Sequence, residues 1–378
     1  MRLAGQKGFD KIGCISTIKI KKVVFYFVLS SIDTIFALYL YKQENMFGKY
    51  KVVCNTAAGR RRYMQYLVPQ VLNSDVVDRY DIWVNTTDVK DIEFFRLLAK
   101  QYDKIRLVWQ PQGIVDGVNS INAFYEECVE DDTIYVKLDD DVVWIEPGFF
   151  EKMVDFRISH PEYFLVSPLV INNQKSTYIL QCMGKLDVIN YRRADPFDRI
   201  FLKSGKFAAE LHNWFIDRYL TSSEYGQLHS GAFPLGLTRF SINAILWFGY
   251  QMKEFEGVVT GDDEEFLSSV MPTRLRKSNC LFTDTIVCHF AFGPQRKYLD
   301  GMGILEKYGE TLHRLWSRDA RMKELDDFVQ SCKSRVDALS EAECKELPRP
   351  DYVVPKHGNK LMKRIKTLIG EQKQYIRQ

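Results

Sequence analysis

A chain of 378 residues can bury one large core or two smaller ones, and its 46% hydrophobic and 27% charged residues exclude a disordered or fibrous protein. A net charge of +3 argues against a nucleic-acid partner. Eight cysteines with no Cys-x-x-Cys spacing argue against both a disulfide scaffold and a zinc site.

Residues 1–45 form a polar to basic segment ending in Lys19, Lys21 and Lys22, followed by a mostly apolar run from Val23 to Tyr41 (residues 23–41). Length and basic flank fit a single-pass signal anchor, which would make the protein membrane-associated. Asp33 counts against it, at roughly 3 kcal/mol near the centre of a membrane helix. If the run is not inserted, the protein is cytoplasmic and the run is an amphipathic or buried helix, or an extension translated upstream of Met46.

From Lys51 the pattern alternates. Lys51–Thr56 predicts a strand, Ala57–Arg62 a turn into a helix that runs to Leu72, and Asp81–Asn85 a second strand. A helix over Ile92–Tyr102, a strand over Ile105–Trp109, a helix over Ser120–Val129 and a strand over Thr133–Leu138 follow. Such alternation predicts an α/β fold, a mostly parallel central sheet flanked by helices. In open α/β sheets ligands bind beyond the carboxyl ends of the strands, so Asn55, Thr56, Asn85 and the aspartates 139–141 converge on a candidate polar substrate site. Arg60, with Arg61 and Arg62, either holds phosphate at a helix start or lies on a solvated face.

The chemistry concentrates at Asp139, Asp140 and Asp141, at the end of the fourth apolar strand. Three adjacent carboxylates cannot share a core, because an unpaired buried charge costs several kcal/mol. Their mutual repulsion falls if they share a hard divalent cation, Mn²⁺ or Mg²⁺.

Phe149–Phe156 predicts a helix, Tyr163–Leu169 a strand, and Arg239–Phe248 a helix of mixed burial. Residues 172–235 hold aromatics suited either to an acceptor sugar or to the core. Asp262, Asp263, Glu264 and Glu265 form a second acidic cluster, read as a general base near a metal or as favourable charge at a helix start. The strand Thr285–Phe290 carries His289, which is either a core histidine or the nitrogen ligand of an oxygen–nitrogen metal site. Residues 46–300 then form the catalytic domain, 301–347 a helical extension, and 348–378 a linker and basic amphipathic tail suited to an anionic membrane surface.

Together these residues resemble the nucleotide-sugar glycosyltransferases of the GT-A fold, over about Lys51 to Phe292. Tyr135-Val136-Lys137-Leu138-Asp139-Asp140-Asp141-Val142 is similar to the Asp-x-Asp strand of the β-1,3-galactosyltransferase and fringe-like enzymes. Gly261-Asp262-Asp263-Glu264-Glu265-Phe266 is similar to the acidic motif of the inverting β-1,4-galactosyltransferases, with Asp262 where that family has Glu. The resemblance implies Asp263 as the base with Asp262 as runner-up, Asp141, Asp139 and His289 as ligands of Mn²⁺ or Mg²⁺, and Asp139 and Asp140 near the nucleotide. It implies a UDP-sugar donor and a glycan, lipid-linked or protein hydroxyl as acceptor. A metal-dependent nucleotidyltransferase and an inactive sugar-binding protein are the competing classes; the first normally wants a glycine-rich phosphate loop, which Ala57-Ala58-Gly59-Arg60 matches only in part.

Overall fold

The computed structural model describes residues 50–186, 192, 195 and 197–355; the expected anchor (23–41) and the basic tail from Lys356 onward lie outside them. No described helix is long and apolar enough to cross a membrane.

β1 (Lys51–Ala58), α1 (Arg61–Asn73), β2 (Arg79–Val84), α2 (Val89–Gln101) and β3 (Ile105–Trp109) alternate as the sequence predicts. Asp88 caps α2 by accepting from the N–H groups of Lys90 and Asp91. A tightly wound run, Gly117–Glu127, takes the place of the helix expected over Ser120–Val129, and leads to β4 (Thr133–Leu138) and β5 (Val142–Ile145). β6 (Val166–Ile171), β7 (Ala232–Gly236), β8 (Ala244–Phe248) and β9 (Asn279–His289) complete a nine-stranded sheet.

The sheet order is β3-β2-β1-β4-β8-β6-β9-β5, with β7 paired to β9. β1, β2, β3, β4, β6 and β9 run one way, while β5, β7 and β8 run against them. β4 sits between β1 and β8 and is buried along its whole length, as a continuous apolar run requires.

β8 corrects the sequence reading, which expected a helix over Arg239–Phe248. Ala244-Ile245-Leu246-Trp247-Phe248 is a strand with every residue buried, antiparallel to β4. A short apolar run covered on both faces carries no period, so helix and strand look alike in sequence.

One core, on the side of α1, gathers Tyr63, Trp144, Phe215, Phe290, Tyr308 and Leu312. The other gathers Trp83, Phe124, Tyr125, Tyr135, Trp247 and Phe266. Trp83 stacks on Phe124 at 5.0 Å, an arrangement worth about 0.5–1.5 kcal/mol beyond area burial. The charged helix Ala320–Asp337 lies on α1 and α2, and Arg61 Nε donates to Asp337 at 2.9 Å.

Candidate active site

At the carboxyl edge of the parallel strands lies a cleft of about 470 Å³, lined by Arg60, Asn85, Lys137, Asp139, Asp140, Asp141, Asn243, Asp263, His289 and Arg296 among others. Strand pairing explains why these distant residues meet. Val142 is opposite His289 in the β5–β9 ladder, and Phe290 N–H donates to the Asp141 carbonyl at 2.8 Å, which places the imidazole beside the Asp141 carboxylate. Leu138 is opposite Ala244 in the β4–β8 ladder, which sets Asn243 beside Asp139.

Asp139, Asp141 and His289 can each present a ligand atom within 4.8 Å of the other two. Asp141 is buried, turns Oδ1 to His289 Nε2 (3.4 Å), and gives Oδ2 to Arg60 (3.1 Å) and Arg296 (3.3 Å). Burial pushes its carboxyl up, but Arg60, His289 and Arg296 outweigh burial and hold it below the ordinary carboxylate range. Asp139 is fixed by the buried Lys137 ammonium (2.5 Å) and by Asn243 Nδ2 (3.1 Å). Two carboxylates and an imidazole suit Mn²⁺ or Mg²⁺, and the edge of Asp141 that faces His289 is not the one its arginines occupy. The donor set therefore fits the ion that the sequence implied.

Asp140 faces the other way. It accepts from Gly59 N–H (3.0 Å) and from Arg60 Nε (3.1 Å), so it pins the turn from β1 into α1 rather than projecting into the cleft centre. The backbones approach closely there: a Cβ on Gly59 would lie 3.2 Å from the Asn85 carbonyl, which would have to give by a few tenths of an ångström. Asn55 and Thr56 correct the sequence reading. β1 continues two residues past them to Ala58, so both are fully buried inside the sheet and neither lines the cleft; Thr56 accepts from the Tyr80 hydroxyl at 3.0 Å. Asn85 does line the cleft and donates to the Gly117 carbonyl at 2.8 Å.

Arg239 sorts the second acidic cluster. Its guanidinium binds Asp262 (2.9 Å), Glu264 (2.9 Å) and Glu265 (3.5 Å). Asp262 is exposed and caps the helical turn by accepting from Glu265 N–H at 3.1 Å, which removes the runner-up base from the cleft. Asp263 lines the cleft, half-buried, and accepts from the Tyr125 hydroxyl at 3.0 Å. Burial pushes the Asp263 carboxyl up from its ordinary value, Lys137 offsets part of that, and Asp139 adds to it.

Two cationic groups complete the cleft. Arg60 Nη1 and Arg296 Nε are buried without a hydrogen-bond partner, and both residues face Asp141. Arg296 was missed in the sequence because it stands in a charged helical stretch with no motif around it. A second cavity of about 370 Å³, lined by Trp144, Glu146, Tyr225 and Trp316, lies at the far end of β5. Its Glu146 carboxylate is already paired with Lys152 (2.8 Å) and His229 (2.9 Å).

No protein-family profile and no curated protein matches the chain. Among solved structures it is similar to glucosyl-3-phosphoglycerate synthase from Mycobacterium tuberculosis in complex with Mg²⁺ and UDP, at 14% identity and a TM-score of 0.38, covering 72% of this chain and 82% of that one. It is also similar to 4-diphosphocytidyl-2C-methyl-D-erythritol synthase from Anaerococcus prevotii, at 12% identity, a TM-score of 0.37 and coverage of 70% and 97%. A third is CMP:2-keto-3-deoxy-manno-octonic acid synthetase with CTP, at 10% identity, a TM-score of 0.35 and coverage of 68% and 98%. Likenesses this distant transfer no activity. Its own sheet order, with an acidic metal-competent group following β4, gives an α/β fold with a mostly parallel sheet flanked by helices.

Proposed function

We propose that the protein is a metal-dependent glycosyltransferase that moves a sugar from a nucleotide-diphosphate donor, a UDP-sugar, to a hydroxyl acceptor with inversion. The observation that carries this reading is one cleft holding both the Asp139, Asp141 and His289 group and a separate, tyrosine-held carboxylate, Asp263. Bound there, a divalent ion neutralises charge that develops on a departing diphosphate. Arg60 and Arg296 add donors on the same side, matched to phosphate oxygens. Lys137 and Asn243 hold Asp139 in place, so the ligand group is ordered before the donor enters. Asp263 takes the proton of the acceptor hydroxyl during attack, and burial, by raising its pKa from the ordinary carboxylate value, makes it a stronger base.

The test is incubation with Mn²⁺ and a panel of UDP- and GDP-sugars, following release of nucleoside diphosphate and free sugar. Slow metal-dependent hydrolysis of one donor is expected. If no nucleotide sugar is cleaved, but a nucleoside triphosphate with a sugar phosphate releases pyrophosphate, the cleft belongs to a nucleotidyltransferase.

A further inference from the structure

The last described residues of the chain brace one wall of the cleft from behind. After the helix Glu341–Glu346, residues 348–355 run back across the carboxyl ends of β2 and β3. Arg96 Nη1 donates to the Pro348 carbonyl at 2.5 Å while its guanidinium lies over Trp109. Val353 forms a parallel bridge with Ile114: its N–H donates to the Gly113 carbonyl (2.8 Å), and its carbonyl accepts from Val115 N–H (3.0 Å).

Tyr352 ties this strap to the sheet. Its hydroxyl donates to the carbonyl of Val84, the last residue of β2 (3.2 Å), and accepts from the N–H of Gln110, the first residue after β3 (2.8 Å). Backbone groups at strand ends need such partners when they are shielded from water. The bonds continue inward. Gln110 Nε2 donates to the Ser120 carbonyl (2.7 Å), Ser120 Oγ donates to Asn85 Oδ1 (2.9 Å), and Asn85 Nδ2 donates to the Gly117 carbonyl (2.8 Å). Asn85, Gly117 and Val118 line the cleft.

This wall has little core of its own. Of residues 110–118 only Gln110 and Val115 are buried, and Gly113 and Gly117 have positive φ. A segment with so few buried apolar contacts keeps its shape through its hydrogen bonds. The metal-competent group stands apart from it, held by β4, β5 and β9.

We propose that Tyr352 is a positioning residue for the nucleotide donor, and that the strap 348–355 shapes the Asn85–Val118 wall against which the nucleotide rests. The proposal relies on the nucleotide-sugar reading of the cleft. It separates three properties: nucleotide affinity depends on the strap, whereas affinity for Mn²⁺ alone and turnover of bound donor do not.

Tyr352→Phe keeps the ring and removes both hydroxyl bonds. In the full chain it should weaken UDP binding in the presence of Mn²⁺ by about two- to tenfold, the span expected for one or two lost hydrogen bonds. Donor KM should rise by the same factor, with kcat and the calorimetric affinity for Mn²⁺ alone unchanged. Val353→Pro, which removes the N–H to Gly113, should act in the same direction. Wild-type UDP affinity in Tyr352→Phe overturns the proposal, as does a lowered melting temperature with unchanged affinity in the folded fraction. If the wild-type protein itself binds no nucleoside diphosphate, the reading of the cleft fails and the proposal with it. If the wild type binds and the variants bind equally well, only the role of the strap fails.

Discussion

Tyr125 donates its phenolic O–H to Asp263 Oδ2 at 3.0 Å across 138 residues of sequence. The ring is fully buried, edge-on to Trp83 at 5.7 Å and beside Trp247 at 6.1 Å, so it has no room to follow a moving carboxylate. The bond therefore orients the Asp263 carboxylate toward the cleft, while Arg239 holds its three neighbours, of which Glu264 also lines the cleft. A positioned base needs this rigidity, because a displacement of about 1 Å can cost a factor of about 10² in rate.

Asp263→Asn should keep donor and Mn²⁺ binding and lose transfer by roughly 10²–10⁴-fold. The protonated base is inactive, so wild-type activity is present above the folded-state pKa of Asp263 and lost as pH falls through it. Because burial raises that pKa, the acid limb of kcat/KM should lie above the ordinary aspartate value of about 3.9. NMR of the product should show the anomeric configuration inverted relative to the donor. A product of retained configuration overturns the assignment of a base, even if transfer itself is observed.

Metal affinity should depend on both halves of the ligand group. Calorimetry should show no Mn²⁺ binding to Asp141→Asn. His289→Gln should weaken binding by at least the roughly tenfold that even outer-shell partners contribute. His289→Gln should melt close to wild type in chelator, since a ligand group is not what holds β5 to β9, whereas Asp141→Asn, which takes the buried counter-charge from Arg60 and Arg296, should fold but melt lower. A His289→Gln protein that binds Mn²⁺ normally but melts well below wild type would show that the histidine serves the core instead.

Beneath the site, His212 is fully buried; its Nε2–H donates to the Phe290 carbonyl (2.8 Å), and its Nδ1 accepts from the Tyr308 hydroxyl (2.9 Å). Burial pushes its pKa down to about 4. Between about pH 4 and the unfolded-state value of about 6.5, the unfolded chain binds more protons than the folded one, so stability falls as pH falls through that window. The contribution lost is roughly 3 kcal/mol, taking about 1.4 kcal/mol per pKa unit. Urea unfolding at pH 7 and pH 4.5 should show the drop in wild type and a smaller one in His212→Gln. An equal drop in both assigns the acid sensitivity to other groups.

The sequence by itself determined the first four strands and the first two helices between them, and it marked the candidate residues of the site. Lys51–Thr56, Asp81–Asn85, Ile105–Trp109 and Thr133–Leu138 are apolar runs closed by turn residues, and local patterning marks such runs. Asp139, Asp141, Asp263 and His289 were legible as a set, because carboxylates and a histidine beside buried strands need a reason to be there. Only the tertiary structure decided which of them meet. The β5–β9 ladder sets His289 against Asp141, and β8 sets Asn243 against Asp139, yet Ala244–Phe248 carries no period that separates a strand from a helix. Likewise nothing local distinguishes Asp263 from Asp262, or shows that Asn55 and Thr56 stop two residues short of the end of their strand. Those choices belong to Arg239, Tyr125 and the ladder from β1 to β2, partners far away in the chain. Periodicity encodes which face of an element is buried; it does not encode what that face is buried against.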